Sequence, residues 1–347
     1  MIRFDSDYVE GMHPSILKKL IESNDEQLIG YGNDPHCARA KDLIKKACKN
    51  PEADVHFFTG GTITNVAIIS HALRPYQAVI AADSGHIETH ETGALEARGH
   101  KIITLSSDEG KIPADRLQAY MEDYLSLDHP EHVVEPKMVY ISQPTELGTL
   151  YSAEELRRLH ELCRHYDLYL FLDGARLGYA LAAEENDLSL EEICQLTDVF
   201  YIGGTKVGAM FGEAVVISRP DLKPNTRHTI KQSGSLLAKG RYFGLQFESL
   251  FEDGLYLTIA RHAINCASQL RDAFRDLGYR LPYPSPSNQL FPLLSPGQID
   301  RLAEDYAFDR GEIYEGDLRL CRFCTSWATK PENIEALIAD LEKVKDL

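Results

Sequence analysis

The chain has 347 residues, 44% of them hydrophobic and 26% charged, which is an ordinary soluble composition with enough length for a large core and a smaller second domain. Its 36 basic and 53 acidic side chains give a net charge of −17, which argues against nucleic acid or an anionic membrane as a partner. The absence of a signal-peptide pattern, of an apolar span of roughly eighteen residues, and of regular spacing among the seven cysteines predicts a cytoplasmic protein with reduced thiols.

Apolar runs and amphipathic segments alternate through most of the sequence. Strands are expected at 55–58, 78–82, 101–105, 138–142, 168–172, 199–202 and 214–217. Helices are expected between them at 63–73, 88–98, 113–124 and 153–165. Apolar strands that do not alternate with polar residues and are separated by helices indicate a mostly parallel sheet covered on both faces. The sequence therefore predicts a three-layer α/β/α large domain over residues 1–250, including the N-terminal segment.

The remaining residues predict a small α+β domain at 251–347. It opens with a long linking helix at about 251–277, and a proline-rich break follows at 283–287. The later elements are expected at 291–294 (strand), from 296 (helix), near 312 and at 318–325 (strands), and from 331 (helix). Cys321 and Cys324 form a single C-x-x-C within the 318–325 strand, which favours core packing, and no metal site is predicted.

A segment rich in glycine and threonine, Thr-Gly-Gly-Thr-Ile-Thr-Asn at 59–65, lies between a predicted strand and a predicted helix. Its glycines allow close approach of a ligand, and a helix start offers free N–H groups and a positive dipole end, a combination that binds phosphate. Thr62 or Thr64 could add a hydroxyl donor. A tight turn with a threonine N-cap explains the same residues without a ligand. The pattern matches neither the ATP-binding nor the dinucleotide-binding glycine motif.

His86 follows the predicted strand that ends at residue 82. Its imidazole could stack on a planar ring or transfer a proton. The simpler interpretation is a histidine that caps a helix by bonding to the backbone. His90, one helical turn further along, is an alternative for the same role.

Asp173 comes directly after the most apolar predicted strand, in the run Asp-Gly-Ala-Arg at 173–176. Ligands of open α/β sheets bind beyond the carboxyl ends of the strands, so this carboxylate lies where a site is expected. There it could hold a ring nitrogen in its protonated form. An aspartate that caps a helix is the common alternative at such a junction.

Lys206 lies among small residues after the predicted strand at 199–202. Most lysines are solvated, but apolar neighbours would lower the pKa of this amine and make it nucleophilic. By itself the motif fits a surface lysine on a glycine-rich loop better. The four features together, however, are what pyridoxal 5′-phosphate (PLP) requires. The glycine segment would bind its phosphate, the histidine would stack on its ring, the aspartate would keep its pyridine nitrogen protonated, and the lysine would hold it as an imine.

The sequence resembles the threonine aldolases of the β-eliminating lyase family, which have the aspartate-aminotransferase fold (fold type I). The matching stretches span nearly the whole chain and lie at 4–7, 30–35, 61–65, 83–93, 172–177, 204–206 and 322–327. The pairing of Asp-Gly-Ala-Arg with the downstream Lys206 is fairly specific to this family. The resemblance implies that Lys206 carries PLP as a Schiff base, that Asp173 pairs with the pyridine nitrogen, and that His86 stacks on the ring.

The resemblance also implies two sets of binding residues. The cofactor would be held by Gly61, Thr62, His86, Asp173, Arg176, Thr205 and Lys206. The substrate would be held by Ser6, Tyr31, Arg176 and Arg322. A planar guanidinium suits bidentate recognition of the substrate carboxylate, and Arg319 is a nearby alternative to Arg322.

Similar proteins are tetramers whose sites lie at a dimer interface, which implies a homodimer or homotetramer with shared active sites. Tyr31 and a basic residue from 231–241 would then serve a neighbouring subunit. Two segments depart from the family. Residues 143–147 (Gln-Pro-Thr-Glu-Leu) replace a Glu-Asn-Thr-His-Asn-like run, and residues 233–239 replace a Gly-Gly-Gly-Met-Arg-Gln-like run. The candidates to reach the phosphate in place of the missing arginine are Lys231, Lys239 and Arg241.

The implied activity is the cleavage of a β-hydroxy-α-amino acid, L-threonine or L-allo-threonine, to glycine and an aldehyde. His86, His90 or a bound water could take the β-hydroxyl proton. A β-eliminating lyase and an aminotransferase would use the same cofactor residues, so both stay open. A non-catalytic α/β binding protein, whose glycines only form turns, is the alternative from another class.

Overall fold

A computed structural model describes all 347 residues of the chain. The strands, in chain order, are β1 (Ile2–Arg3), β2 (Asp54–Phe58), β3 (Gln77–Ala82), β4 (Lys101–Leu105), β5 (Glu135–Ser142), β6 (Tyr169–Asp173), β7 (Val199–Gly203), β8 (Glu213–Ile217), β9 (Gln289–Leu290), β10 (Leu293–Leu294), β11 (Tyr306–Ala307), β12 (Ile313–Glu315), β13 (Leu318–Leu320) and β14 (Phe323–Cys324). The helices are α1 (Pro14–Glu22), α2 (Pro35–Ala47), α3 (Gly61–Ala72), α4 (His86–Thr89), α5 (Ala114–Leu125), α6 (Ala153–His165), α7 (Leu177–Ala182), α8 (Leu190–Leu196), α9 (Thr226–Gln232), α10 (Arg241–Glu252), α11 (Leu255–Asp276), α12 (Pro296–Leu302) and α13 (Pro331–Val344).

The central feature is a seven-stranded sheet with the order β2-β8-β7-β6-β5-β3-β4. The pairs from β7 to β4 are all parallel, and β8 alone runs antiparallel to its neighbours β7 and β2. The prediction of an α/β fold with a mostly parallel sheet is therefore confirmed. Since β2 runs in the same direction as β3, β5, β6 and β7, the carboxyl ends of all five strands lie at one edge of the sheet.

Helix α6 shows how the sequence builds the layers that cover the sheet. Ser152 and Glu155 form a reciprocal capping box at its start, which satisfies backbone N–H groups that the first turn leaves free. One face then presents leucines that are almost completely buried, among them Leu156 and Leu159. Each such leucine stabilises the fold by roughly 1.5–3 kcal/mol through the apolar area removed from water.

Hydrophobic side chains form a separate core on each face of the sheet. Successive residues of β6 alternate between them, so that Leu170 and Leu172 lie in a core of 45 residues and Phe171 lies in one of 19. The smaller core also contains Tyr140 and Tyr201, whose side chains lie beneath the carboxyl edge of the sheet. This arrangement brings two phenolic hydroxyl groups to the place where polar site residues gather.

A third hydrophobic cluster of 16 residues occupies the C-terminal part of the chain. Phe4 belongs to it, and β1 pairs with β11, so the first residues of the chain lie against its last hundred or so. The predicted division into residues 1–250 and 251–347 stays a prediction. None of the helices combines the length and the apolar character needed to cross a lipid bilayer.

Four predicted elements differ in the structure, among them the strand expected at 291–294, which is reduced to β10 at Leu293–Leu294. The helix expected at 88–98 is replaced by the single-turn helix α4 and a short 3₁₀ turn, because Thr92 and Gly93 adopt positive φ angles of 54° and 70° that end an α-helix. The strand expected at 318–325 is split into β13 and β14, which pair with different partners. The linking helix expected at 251–277 is α11, which begins at Leu255 after a turn that ends α10.

Candidate active site

A cavity of about 420 Å³ lies at the carboxyl edge of the sheet. Its wall includes all the residues expected to hold the cofactor, which are Gly61, Thr62, His86, Asp173, Arg176, Thr205 and Lys206. Residues from five strand ends and from the start of β8 thus converge on one space. The volume lies within the range of 300–1,000 Å³ that is typical of ligand pockets.

One end of the cavity is formed by the start of α3. Gly60 precedes the helix and supplies no side-chain cap, so the first N–H groups of α3 have no partner from a capping side chain. Thr64 is not available to a ligand, since its hydroxyl donates to the Gly60 carbonyl at 2.8 Å. Thr62 is exposed at the cavity wall, which makes it the threonine that fits an anion at this helix start.

Asp173 lies at the end of β6 and is only 5% exposed. Its Oδ2 accepts hydrogen bonds from Tyr140 at 2.5 Å and from Asn65 at 3.1 Å, and its Oδ1 accepts one from the backbone N–H of Ala175 at 2.9 Å. Burial alone would raise the pKa of this carboxyl, but the charge of His86 and hydrogen bonds from Tyr140, Tyr201 and the backbone of Ala175 outweigh it and lower the pKa. The site therefore holds an ionised carboxylate in a buried position.

Lys206 lies on the loop between β7 and β8, with its Nζ 6.0 Å from the ring centre of Tyr8. Burial and the charge of Arg176 lower the pKa of the amine, and the carboxylates of Asp7, Asp173 and Glu213 only partly oppose this effect. A lysine with a lowered pKa has a larger fraction in the neutral, nucleophilic form.

Glu213 fixes the loop that carries Lys206. Its two carboxylate oxygens accept hydrogen bonds from the backbone N–H of Gly204 and from the hydroxyl of Thr205, both at 2.8 Å. Thr205 in turn accepts a hydrogen bond from the N–H of Gly212 at 2.9 Å. Burial raises the pKa of Glu213 to about 7, since hydrogen bonds and the charge of Lys206 offset it only in part.

His86 is held by a buried carboxylate that the sequence did not point to. Its Nδ1 lies 2.8 Å from Glu91 Oε1, and Asn65 donates to that same oxygen at 2.8 Å. Burial lowers the pKa of His86, but the hydrogen bond that its ring donates to Glu91 and the charges of Asp173 and Glu91 prevail and raise it. Asn65 thereby links the carboxylate beneath His86 to Asp173 through one amide group.

Arg176 lines the cavity, and one side of its guanidinium is bound within the protein. Its Nε and Nη2 donate to the two carboxylate oxygens of Asp7 at 2.6 and 3.0 Å. Asp7 is fully buried and also accepts a hydrogen bond from Asn288 at 2.9 Å. The second N–H of Nη2 and both N–H groups of Nη1 donate to no protein acceptor, so this face of Arg176 stays available to a ligand.

Ser6, Tyr31 and Arg322 are not among the residues that line the cavity. Ser6 is buried, whereas Tyr31 is 43% exposed and lies with its ring centre 4.9 Å from Lys231 Nζ. Arg322 pairs with Asp309 at 3.2 Å, and its buried Nε has no hydrogen-bond partner.

The other basic residues considered for the substrate carboxylate or the phosphate do not line the cavity. Arg319 donates to the carbonyl of Gly311 at 2.8 Å, and Arg241 donates to that of Glu26 at 2.6 Å. Lys239 lines a separate open cavity with Arg241.

Comparison with known proteins places these observations in a family. The family described as beta-eliminating lyase matches residues 4–291. A low specificity L-threonine aldolase from Pseudomonas aeruginosa is 31% identical over 349 residues, which cover 99% of this chain and 97% of that protein. A solved threonine aldolase from Leishmania major is 45% identical with a TM-score of 0.96, covering 99% of this chain and 100% of that one. An aspartate aminotransferase from Thermus thermophilus shares the fold, with a TM-score of 0.72 at 15% identity over 99% of this chain and 91% of that one.

Proposed function

The chain belongs to the beta-eliminating lyase family, and from that premise we propose that it is a PLP-dependent aldolase of fold type I. It cleaves β-hydroxy-α-amino acids such as L-threonine and L-allo-threonine to glycine and an aldehyde. The observation that carries the proposal is the single cavity that joins an uncapped helix start, an ionised buried aspartate and a lysine of lowered pKa.

The residues present fit PLP at each of its functional groups. The N–H groups at the start of α3, with Gly61 and Thr62, would hold the phosphate, and Thr205 lies beside them on the cavity wall. Asp173 would accept the hydrogen bond of a protonated pyridine nitrogen, and Lys206 would form the covalent link to the aldehyde. When bound, PLP supplies an electron sink that stabilises negative charge on the α-carbon of the substrate.

The chain's own residues supply binding and orientation. Asp173 keeps its negative charge because Tyr140, Asn65 and Ala175 donate to it, so it can hold a proton on the ring nitrogen. His86 presents its ring to the cavity while Glu91 fixes its Nδ1. A fixed ring restricts the cofactor to one plane, and the cleaved bond must stand perpendicular to that plane to react.

Together with Arg176, Arg322 is proposed as a partner of the substrate carboxylate. Its buried Nε lacks a hydrogen bond, as expected of a group that awaits an anion. Its charge also lowers the pKa of His90, a residue of the cavity wall, so the guanidinium lies close to the site. Arg176 can contribute N–H groups of Nη1 and Nη2, since Asp7 occupies only its Nε and one N–H of Nη2. Ser6 and Tyr31 stay predicted substrate contacts, the latter for a neighbouring subunit.

We also infer a homodimer or homotetramer that works in a reducing, cytoplasmic compartment. Large apolar side chains are exposed beside the cavity, with Tyr8 at 57% and Met210 at 45% exposure, and such side chains are typical of protein interfaces. All seven cysteines are free thiols, which suits a reducing environment.

The test uses purified protein loaded with PLP. Lys206→Ala should lose the visible absorbance of the cofactor bound as a Schiff base, and should release no aldehyde from L-threonine or L-allo-threonine. Lys46→Ala, a change at an exposed lysine, is the matched control and should keep both properties. Release of pyruvate or another keto acid in place of glycine and an aldehyde would instead indicate β-elimination or transamination.

A further inference from the structure

Glu146 is an acidic residue on the cavity wall, in the segment between β5 and α6. Its Oε1 accepts hydrogen bonds from the backbone N–H of His86 at 3.0 Å and from the hydroxyl of Ser142 at 2.6 Å. Its Oε2 accepts no hydrogen bond from another residue, and it is not among the buried polar atoms that lack a partner. One oxygen is therefore anchored, while the other keeps an exposed face on the cavity.

We propose that Glu146 is the base of the carbon–carbon cleavage, with Oε2 taking the proton of the substrate's β-hydroxyl group. This inference rests on the proposed aldolase function. The O–H bond breaks and its proton moves to Oε2. The electron pair of that bond becomes the second C–O bond of the aldehyde, and the pair of the Cα–Cβ bond stays with Cα. Return of one proton to Cα gives glycine, so the reaction requires no oxidant or reductant.

The other proton acceptors near the cavity suit this task less well. His86 has a raised pKa, so it is more often protonated and less able to accept a proton. Its Nδ1 is also engaged by Glu91. His90 is exposed to solvent and its Nδ1 lies 2.5 Å from the hydroxyl of its neighbour Thr89, so its Nε2 is the competing acceptor that a His90→Gln variant tests. Glu213 spends both oxygens on the loop that carries Lys206. Unlike Glu213, Glu146 combines one oxygen anchored by hydrogen bonds with one oxygen free of them.

The surroundings of Glu146 favour proton transfer. Burial raises the pKa of its carboxyl, the Ser142 hydrogen bond lowers it, and the charges of Asp173 and His86 respectively raise and lower it, with a raised pKa as the result. Tyr140 and Tyr151 are the other titratable groups that interact with it, and both are neutral near pH 7 because burial raises their pKa. A base whose pKa is closer to the working pH transfers protons more effectively.

Glu146→Gln in the PLP-loaded enzyme provides the test, because glutamine keeps an acceptor for His86 and Ser142 but removes the basic oxygen. Aldehyde release from L-threonine and L-allo-threonine should fall by about 10²- to 10⁴-fold, the usual contribution of general base catalysis. Exchange of the α-proton of glycine with D₂O, followed by NMR, breaks no carbon–carbon bond and should stay close to the wild-type rate. The dissociation constant of PLP and the absorbance of the bound cofactor should not change.

The pH dependence gives a second readout. Glu146 must be ionised to act, so wild-type cleavage should fall as the pH drops through the raised pKa of this carboxyl, and that acidic limb should be missing from the residual rate of Glu146→Gln. The difference between the infrared titrations of wild type and variant should contain one protonated-carboxyl band whose midpoint lies at the same pH as the acidic limb, whereas the band of Glu213, whose pKa is raised to about 7, should appear in both proteins.

His90→Gln is the matched variant, since His90 lies on the same wall and is also titratable. It should keep the acidic limb. Three results would overturn the role of Glu146 as the base. Glu146→Gln could cleave at the wild-type rate, or it could lose cleavage and glycine exchange equally. Alternatively, the acidic limb could disappear in His90→Gln and persist in Glu146→Gln. A wild-type enzyme that exchanges glycine but releases no aldehyde from either substrate would overturn the proposed function, and this inference with it.

Discussion

In the candidate site, neighbouring ionisable residues have pKa values that their environments shift in opposite directions. Asp173 has a lowered pKa because hydrogen bonds and His86 stabilise its charge against burial, whereas Glu146 has a raised pKa because burial prevails over its single side-chain donor. The same contrast holds for the bases, since the pKa of Lys206 is lowered and that of His86 is raised. Carboxylates and bases with divergent pKa values are the arrangement expected of residues with distinct proton-transfer roles.

Glu91 is the residue that sets the protonation of His86. Glu91→Gln removes the negative charge 2.8 Å from Nδ1, so the pKa of His86 should fall, and an NMR titration of the imidazole measures this directly. A raised pKa in the folded state adds stability that is fully present below the unfolded pKa of histidine and is lost as pH rises through the raised value. The variant should therefore lower the melting temperature more in mildly acidic than in alkaline solution.

The control for this prediction is Glu88→Gln, a change at an exposed carboxylate near His86 in the chain. It should leave the titration of His86 close to that of the wild type. If both variants shift the histidine equally, the effect comes from the general loss of negative charge and not from the hydrogen bond to Glu91.

Sequence reasoning at the residue scale found the side chains that follow strands and missed those that support them. Gly61, Asp173 and Lys206 could be identified because the carboxyl ends of parallel strands meet at one edge. Asn65 and Glu91 could not, since one lies within a helix and the other in an irregular segment, and only the tertiary fold brings them to Asp173 and His86.

At the scale of elements, the turn between β7 and β8 positions the reactive lysine. The N–H groups of Gly204 and Thr205 donate to the carbonyl of Gly212 at 3.1 and 3.2 Å, which closes the turn on itself. Gly208 follows Lys206 with a φ of +87°, and a Cβ atom there would lie 2.5 Å from Ile259 Cδ1 on α11. The turn therefore depends on both a left-handed backbone and a close approach to a helix.

Gly208→Ala should consequently destabilise the protein and loosen its hold on PLP. The left-handed backbone alone costs a side chain roughly 1–3 kcal/mol, and the contact with Ile259 adds to that. Gly278→Ala is the matched control, since Gly278 has a φ of +83° but no atom within 4 Å of the added Cβ. Urea unfolding should show the larger loss for Gly208→Ala, and only this variant should bind PLP more weakly. Equal losses with unchanged PLP binding would contradict the role of the turn.

Elements were predictable where they are long enough to carry a pattern. The buried strands of the large sheet are runs of five to eight residues, and their ends lie within three positions of the expected bounds. Strands β9 to β14 have only two or three residues each, too few for a period to show. The prediction of a helix at 88–98 was wrong for a different reason. Its apolar pattern continues through residues whose backbone is left-handed, and such residues end a helix.

At the scale of the whole molecule, one buried ion pair ties distant parts of the chain together. Asp7 from the N-terminal segment bonds Arg176 beside the large sheet and Asn288 from the C-terminal part. Burial raises the pKa of Asp7, but Arg176, Lys206 and Asn288 together lower it. The cavity is built where these three regions meet, so the ion pair supports both the packing of the regions and the shape of the site.

Asp7→Asn should therefore cost far more than an ordinary polar substitution. It leaves the guanidinium of Arg176 buried without a counter-charge, and breaking a buried pair in this way costs roughly 3–5 kcal/mol in the free energy of unfolding. Because the pKa of Asp7 is lowered in the folded state, its contribution is present above the unfolded pKa of aspartate and is lost as pH falls through the lowered value. The difference in unfolding free energy between variant and wild type, measured in urea, should thus be largest at neutral pH and smaller in acid.

The control is Asp5→Asn, which breaks the exposed pair with Arg3 and should change the unfolding free energy far less. A similar loss in both variants would refute the linking role of Asp7.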